Sequence, residues 1–581
     1  MTHNSNLYSP LPADAIGLIL GTRNATPLEC WVAVDNQRCV QLDDVVEIPI
    51  KHPETGETIR YYGLVEQVEK SLEGLSFDTD TRMVSEGTIP AQLSYVAKVT
   101  ITRIEPEIFM PPQPGEPVYR ATGANFDHAL FFDGMEHRLP AGVLQSGQAA
   151  WINFDFVDGT NGGHVSISGI SGVATKTSYT LFLLHGILRG NAIPRQKQQH
   201  SKAIIFNVKN EDLLFLDQPN RKLRPQDIKA YETLGLPAEP FRDVGFYAPC
   251  QSAQGEIMPS SQTRIQGVQA YGWDLAEIAR GKLLRFLFTE DDRPGSNLGF
   301  VLDRVCNCLA EMADSRHQGE RLAVLTTKDP YRKPLSSLQE LSKHFQQIFE
   351  DAEEKDPMAE DAKRHWFGNN ASGTILAFLR RLEASISHVA PFVRPDLRAE
   401  NRIHWRQRKL SVVDINRLNS KAQMFVVGSL LQEIFEYKGS SGDKSPVFIV
   451  LDELNRYAPR SGWSPIKDML LDIAERGRSM GLILLGAQQT ASEVEKRVVA
   501  NAAIRVSGRL DAAEAAAREY DFLRGAFRQR ALMIRPGTMI VQQPELPSPL
   551  LVSYPFPAWA TRATEVLYDD VEDDVFAAFE D

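Results

Sequence analysis

At 581 residues the chain is too long for one compact core, and roughly two to four domains are expected. Its content of 43% apolar and 24% charged residues is that of globular protein and excludes wholesale disorder. A net charge of −12 argues against a surface coated in basic groups for nucleic acid, although an acidic exterior is compatible with a local basic channel.

Residues 14 to 105 carry short alternating runs (AIGLIL, CWVAV, DDVVEIPI, YYGLVEQV, YVAKVTITRI) separated by turn-rich pieces such as HPETGET. That spacing predicts a small β-barrel or sandwich within residues 1–110. The proline-rich FMPPQPGEPV opens a stretch, 111–163, that reads as an extended connector. From residue 164 the texture changes: HVSISGI reads as a strand, TSYTLFLLHGILRG as a helix and KAIIFNV as a strand. Such alternation predicts a parallel sheet with helices on both faces, over 164–270 and again over 405–560, where LSVVDI, PVFIVLDE and GLILLGAQ recur. Residues 271–404 are mainly helical and charged and read as an inserted subdomain; 561–581 form an acidic tail.

The strand-loop-helix HVSISGISGVATKTSYTLFLL offers a phosphate loop: Gly169, Gly172, Val173, Ala174 and Thr175, then Lys176, Thr177 and Ser178 at a helix start. Helix N-termini favour anions through free N–H groups and the helix dipole. Lys176 would reach the β and γ phosphates of ATP, and the Thr177 hydroxyl would sit on Mg2+. The loop departs from GxxxxGK[ST]. Six residues, 170–175, separate Gly169 from Lys176, and Thr175 stands where a glycine is usual.

In SPVFIVLDELNRYAPRSG an apolar strand ends in Asp452 and Glu453. Carboxylates at the C-terminal end of a buried parallel strand lie where open α/β sheets bind ligands. Asp452 would hold Mg2+ and Glu453 would polarise the attacking water. The following LLDIAERGRSMGLILLGAQQT places Arg476 and Arg478 on a helix and Gln488 at a strand end. Gln488 is thereby a candidate γ-phosphate sensor, and either arginine a candidate group for stabilising transition-state charge in a neighbouring subunit.

Together these stretches resemble the HerA/FtsK superfamily of ring-forming P-loop ATPases, and HerA-like proteins in particular. AIGLILGTRNATPLECWVAV with LDDVVEI is similar to the barrel that precedes the ATPase, and IAERGRSMGLILLGAQQT to the family's helix-strand signature. KAIIFNVKNED resembles its second strand, with Glu211 matching and Asn207 in place of an aspartate; RPGTMIVQQPELPSPLLVSYPFP resembles the C-terminal brace. The resemblance implies a RecA-like P-loop core with an N-terminal small β-barrel and a helical insertion. It also implies a homo-hexamer that hydrolyses ATP with Mg2+ between subunits and moves double-stranded DNA through its pore. By position Lys176 and Thr177 become phosphate and Mg2+ ligands, Asp452 and Glu453 the metal and catalytic carboxylates, Gln488 the sensor, and Arg478 the trans finger with Arg476 as alternate. Family members work with a separate nuclease or other effector, in end processing or antiviral defence. The other reading is a nucleotide-regulated hexameric scaffold that assembles and activates its effector.

Five scattered cysteines (Cys30, Cys39, Cys250, Cys306, Cys308) suggest reduced thiols rather than a disulfide framework. The N-terminus lacks a basic start followed by an apolar stretch, and no apolar run approaches the roughly 20 residues of a membrane helix, so a cytoplasmic protein without membrane contact is expected. A basic cluster (Arg398, Arg402, His404, Arg406, Arg408, Lys409) is either an exposed face paired with acids or a DNA contact, and Trp405 within it is a core candidate.

Overall fold

A computed structural model describes residues 11–170, 175–190, 193–253, 256–288, 295–314 and 325–567. They divide into two compact units, Met1–Phe154 with Ile504–Tyr554, and Asp155–Ala503 with Pro555–Asp581.

In the first unit six strands close into a barrel: β1 (Ala15–Ile19), β2 (Glu29–Val34), β3 (Val45–Lys51), β4 (Thr58–Glu73), β5 (Gln92–Glu105) and β6 (Pro117–Arg120), in the order β1-β2-β5-β4-β3-β6. The period-2 pattern drives this. In β3, Val46, Ile48 and Ile50 point inward while Glu47, Pro49 and Lys51 face out. Val32, Ile48, Tyr61, Val99 and Val118 fill the interior, and closure leaves no free edge. The stretch 111–163 contains β6, a short helix (Ala124–Ala129) and the antiparallel hairpin β7 (Arg138–Val143) and β8 (Ala149–Asn153). Strands Ile504–Ser507, Thr538–Gln542 and Leu550–Ser553 extend that hairpin through the pairing of Ser553 with Val143. Arg530 grips Asp43 with two parallel bonds of 2.8 and 2.6 Å, fixing helix Ala526–Ala531 to the barrel.

The second unit is built on a largely parallel sheet. Its strands are β9 (Val165–Ser168), β10 (Lys202–Asn207), β11 (Val244–Ala253), β12 (Glu256–Pro259), β13 (Val268–Tyr271), β16 (Leu410–Asp414), β17 (Val447–Asp452) and β18 (Leu482–Gln488). A separate two-stranded ribbon joins β14 (Leu325–Thr326) to β15 (Pro334–Leu335). The sheet order is β12-β11-β16-β10-β17-β18-β9, with β13 beside β11 and only β12 antiparallel. Every residue of β16, β17 and β18 is buried. Unbroken apolar runs of this kind suit parallel strands covered on both faces by helices. This is the parallel α/β sheet that the alternation of strand and helix segments predicted.

Between β13 and β16 lie helices Leu275–Arg280, Asn297–Asp314, Leu338–Glu353, Pro357–Phe367 and Ser372–Val389, which form the helical insertion. Their apolar faces merge with helix Ser420–Ser441 and the sheet in one core. Gly428 allows a close approach there, since a Cβ would stand 2.4 Å from the Phe286 ring. A buried node pins the insertion: Asp329 accepts from Trp366 Nε1 at 2.5 Å and pairs with His344 Nε2 at 2.7 Å. No helix among the described residues is long and apolar enough to cross a membrane.

Candidate functional site

The site forms along the C-terminal edge of the parallel strands, because register aligns their ends. Asp452 pairs with Ala487, and Gln488 with Ser168, so the tips of β17, β18 and β9 stand side by side. Gly169 follows β9 and donates its N–H to the Gln488 carbonyl at 3.2 Å. Gly172, Val173 and Ala174 lie outside the described residues. Thr175 opens the helix Thr175–Arg189, with Lys176, Thr177 and Ser178 in its first turn.

Lys176 is 4% exposed, and its Nζ has no hydrogen-bond partner among the described residues. Burial pushes this ammonium down to about 8, against the opposing pull of Asp452 and Glu453. A buried cation without a partner is costly, and at the start of a helix it marks a place for an anion. Beside it Thr177 Oγ1 donates to Asp452 Oδ2 at 3.3 Å. The hydroxyl and the carboxylate that would share Mg2+ are therefore already in contact. ATP and Mg2+ fit this donor set: an orphaned ammonium for phosphate, and hard oxygen ligands for the metal.

Asp452 is 7% exposed. Its Oδ1 accepts from the Glu453 N–H at 2.9 Å, and its Oδ2 accepts from Lys209 Nζ at 3.1 Å. Glu453 adopts a left-handed backbone, φ 58°, which turns the chain sharply as β17 ends. Its carboxylate lies 3.2 Å from Arg456 Nη1 and 3.8 Å from Lys209 Nζ. Lys209, two residues past β10, was not singled out from the sequence. Its signal was position, because residues just beyond parallel-strand ends face the ligand crevice.

Gln488 is fully buried, and its Nε2 donates to Ser166 Oγ at 2.8 Å and Ser168 Oγ at 3.0 Å. The side chain thus ties β18 to the strand that leads into the phosphate loop. Arg476 and Arg478 end helix Lys467–Met480, just before β18 begins. A strand of this length spans about 20 Å, so both stand at the opposite sheet edge from Gln488 and do not join Asp452 and Glu453 of their own chain. Arg476 pairs with Asp472 at 2.7 Å, and Arg478 Nη1 reaches the Asn161 carbonyl at 3.5 Å; both are exposed.

Asn207 ends β10 and bonds to the neighbouring strand. Its Nδ2 donates to Asp414 Oδ1 at 2.7 Å, so β16 places a carboxylate beside the end of β10. Burial pushes the Asp414 carboxyl up to about 6, against bonds from Asn416 and Asn207. Glu211 accepts from the N–H groups of Gln262 and Thr263 at 2.7 and 2.5 Å and from the Thr263 hydroxyl at 2.6 Å. It clamps the loop after β10 to the segment leading into β13.

The basic cluster is largely paired internally. Arg398 meets Glu400 at 3.7 Å, Arg402 meets Asp274 at 3.5 Å and also Glu277, and Arg408 meets Asp243 at 3.3 Å. Arg406 lies over the Tyr437 ring at 4.8 Å. Trp405 is buried, with Nε1 donating to Glu433 at 3.0 Å. The acidic tail from residue 568 onward lies outside the described residues.

No protein-family model matches the chain, and no curated protein matches it. Solved structures do. The plasmid coupling protein TrwB, in complex with the non-hydrolysable GTP analogue GDPNP, is similar over 74% of this chain and 92% of its own, at 12% identity and TM-score 0.46. VirB4 of Thermoanaerobacter pseudethanolicus is similar over 75% of this chain and 98% of its own, at 13% identity and TM-score 0.39. The genome-packaging NTPase B204 of Sulfolobus turreted icosahedral virus 2, in complex with ATP-gammaS, covers 26% of this chain and 69% of its own at 12% identity and TM-score 0.20. With identities of 12–13% and TM-scores of 0.20–0.46, the functional reading rests on the residues of this chain.

Proposed function

We propose that the chain binds Mg2+-ATP at the Lys176–Asp452 cluster and hydrolyses it, as a HerA-like, ring-forming DNA translocase. The observation that carries this is Lys176: a buried ammonium in the first turn of a helix, without a hydrogen-bond partner among the described residues and beside a threonine already bonded to a strand-end aspartate.

Lys176 and the N–H groups of the helix start would bind the phosphates. Thr177 Oγ1 and Asp452 would hold Mg2+, which when bound supplies charge neutralisation across the β and γ phosphates. Glu453 would accept a proton from water as its oxygen attacks phosphorus, releasing ADP and inorganic phosphate. Gln488 would sense the state of the loop through its bonds to Ser166 and Ser168. The exposure of Arg476 and Arg478, away from their own carboxylate pair, favours a role in trans, with Arg478 as the finger at a neighbour's nucleotide in a homo-hexamer. Double-stranded DNA in the ring pore and a separate nuclease or other effector, in end processing or antiviral defence, complete the reading.

Phosphate release measured with and without linear duplex DNA tests it. DNA is expected to accelerate turnover several-fold, and mass measurement to give a hexamer with ATP. Turnover indifferent to DNA, in a ring that still assembles an effector, would replace the motor with the scaffold. A chain that remains a monomer with ATP would rule out both.

A further inference from the structure

Lys209 has a place in the site that the nucleotide reading alone does not use. Its ammonium stands 3.1 Å from Asp452 Oδ2 and 3.8 Å from Glu453 Oε1, touching both carboxylates at once. The two oxygens of Asp452 are not equivalent. Oδ1 is capped by the fixed N–H of Glu453, whereas Oδ2, which also faces Thr177, carries a cation on a flexible arm.

The base of that arm is firmly held. Asn207 Nδ2 donates to the Asn210 carbonyl at 2.9 Å and to Asp414 at 2.7 Å, and its carbonyl accepts from Ile415 N–H at 3.0 Å. Asn210 takes a left-handed turn at φ 47°, and Glu211 is locked by Gln262, Thr263 and, at 3.3 Å, Arg417. The side chain of Lys209 itself is 45% exposed, so its head can swing while its backbone stays put. Lys176 does not share this task, because its buried Nζ bonds to no described residue.

We propose that Lys209 is a tethered cation that holds the metal-binding oxygen of Asp452 until nucleotide arrives, then transfers to the phosphates. Metal and ATP consequently enter as one unit, and the nucleotide-free chain disfavours a divalent ion. This rests on the reading of Asp452 as the metal carboxylate. The physical basis is charge: an ammonium about 3 Å from the ligand oxygen repels a divalent cation that must approach the same atom. Once the phosphates are present, their negative charge draws the ammonium away from Asp452.

Manganese binding to the nucleotide-free protein, followed by electron paramagnetic resonance, reads this directly. Lys209→Met is expected to bind Mn2+ about tenfold more tightly than wild type, and Lys209→Arg, which keeps the charge, to stay near wild type. In EDTA, Lys209→Met is expected to bind a fluorescent ATP analogue about tenfold more weakly, because a phosphate contact is lost. If Lys209→Met leaves Mn2+ affinity unchanged while Asp452→Asn abolishes it, the tether is refuted and the metal site stands. If Asp452→Asn has no effect on Mn2+ in the Lys209→Met background, the metal assignment falls and the tether with it.

Discussion

Replacing Lys176 with methionine is expected to stabilise the nucleotide-free fold while abolishing nucleotide binding. The side chain is 4% exposed and has no hydrogen-bond partner among the described residues, and burial takes the ammonium from an ordinary value of 10.5 down to about 8. At ~1.36 kcal/mol per pH unit that difference corresponds to about 3 kcal/mol of strain against the charged form. Below pH 8 the lysine is protonated in both folded and unfolded chains, and the cost is fully present. Between about 8 and 10.5 the folded chain has released its proton and the unfolded chain has not, so stability rises with pH and the cost fades. Methionine matches the length of the buried arm without the charge, and Asp452 keeps Lys209 as its partner. Thermal unfolding followed across pH 7 to 10 should show the variant melting about 2–5 °C above wild type at pH 7, with the gap closing toward pH 10. Adding Mg2+-ATP should raise the wild-type midpoint and leave the variant unmoved. A variant less stable than wild type at pH 7 would mean that Lys176 is satisfied in the free protein and that the unpartnered-cation reasoning is wrong.

Glu453→Gln should lower turnover at least about 100-fold while Mg2+-ATP affinity stays within about threefold, as measured by phosphate release and equilibrium binding; parallel loss of both would make Glu453 a binding group. For Asp414, raised to about 6 from 3.8, the folded chain binds the extra proton between those values, so wild-type stability should fall by about 2–3 kcal/mol as pH rises through that window. Asp414→Asn should flatten this dependence in denaturant unfolding at pH 4 to 6, and an unchanged slope would assign it to other groups. Gly481 closes helix Lys467–Met480 at φ 74°, with a Cβ position 2.4 Å from the Lys444 carbonyl. Gly481→Ala should therefore cost about 2–4 kcal/mol and lower the melting temperature, whereas a neutral substitution would contradict the tight approach to the Lys444–Ser445 backbone.

Much of the fold could be read from period alone. The alternation in VVEIPIK gives a barrel strand, and the unbroken VFIVLD and LILLGAQ give buried parallel strands, because a side chain's partition between core and solvent repeats with the backbone. β11, VGFYAPCQSA, escaped notice because Pro249 and small polar residues interrupt its apolar run. The acidic pair was legible because Asp452 ends such a strand. Lys209 was not, because a lysine after a strand usually marks solvent, and only the fold reveals that its loop curls back over β17. The same holds for Asn207, which bonds to Asp414, a residue 207 positions away in sequence. Such pairings depend on strand order, which local pattern does not encode.

The central claim is a single Mg2+-ATP site assembled from Lys176, Thr177 and Asp452. Calorimetric titration of the purified protein with a non-hydrolysable ATP analogue in Mg2+ tests it most directly. One nucleotide per chain is expected for wild type and for Glu453→Gln, with binding lost in Lys176→Met and weakened at least about tenfold in Asp452→Asn. Undiminished binding by a folded Lys176→Met variant would contradict the claim.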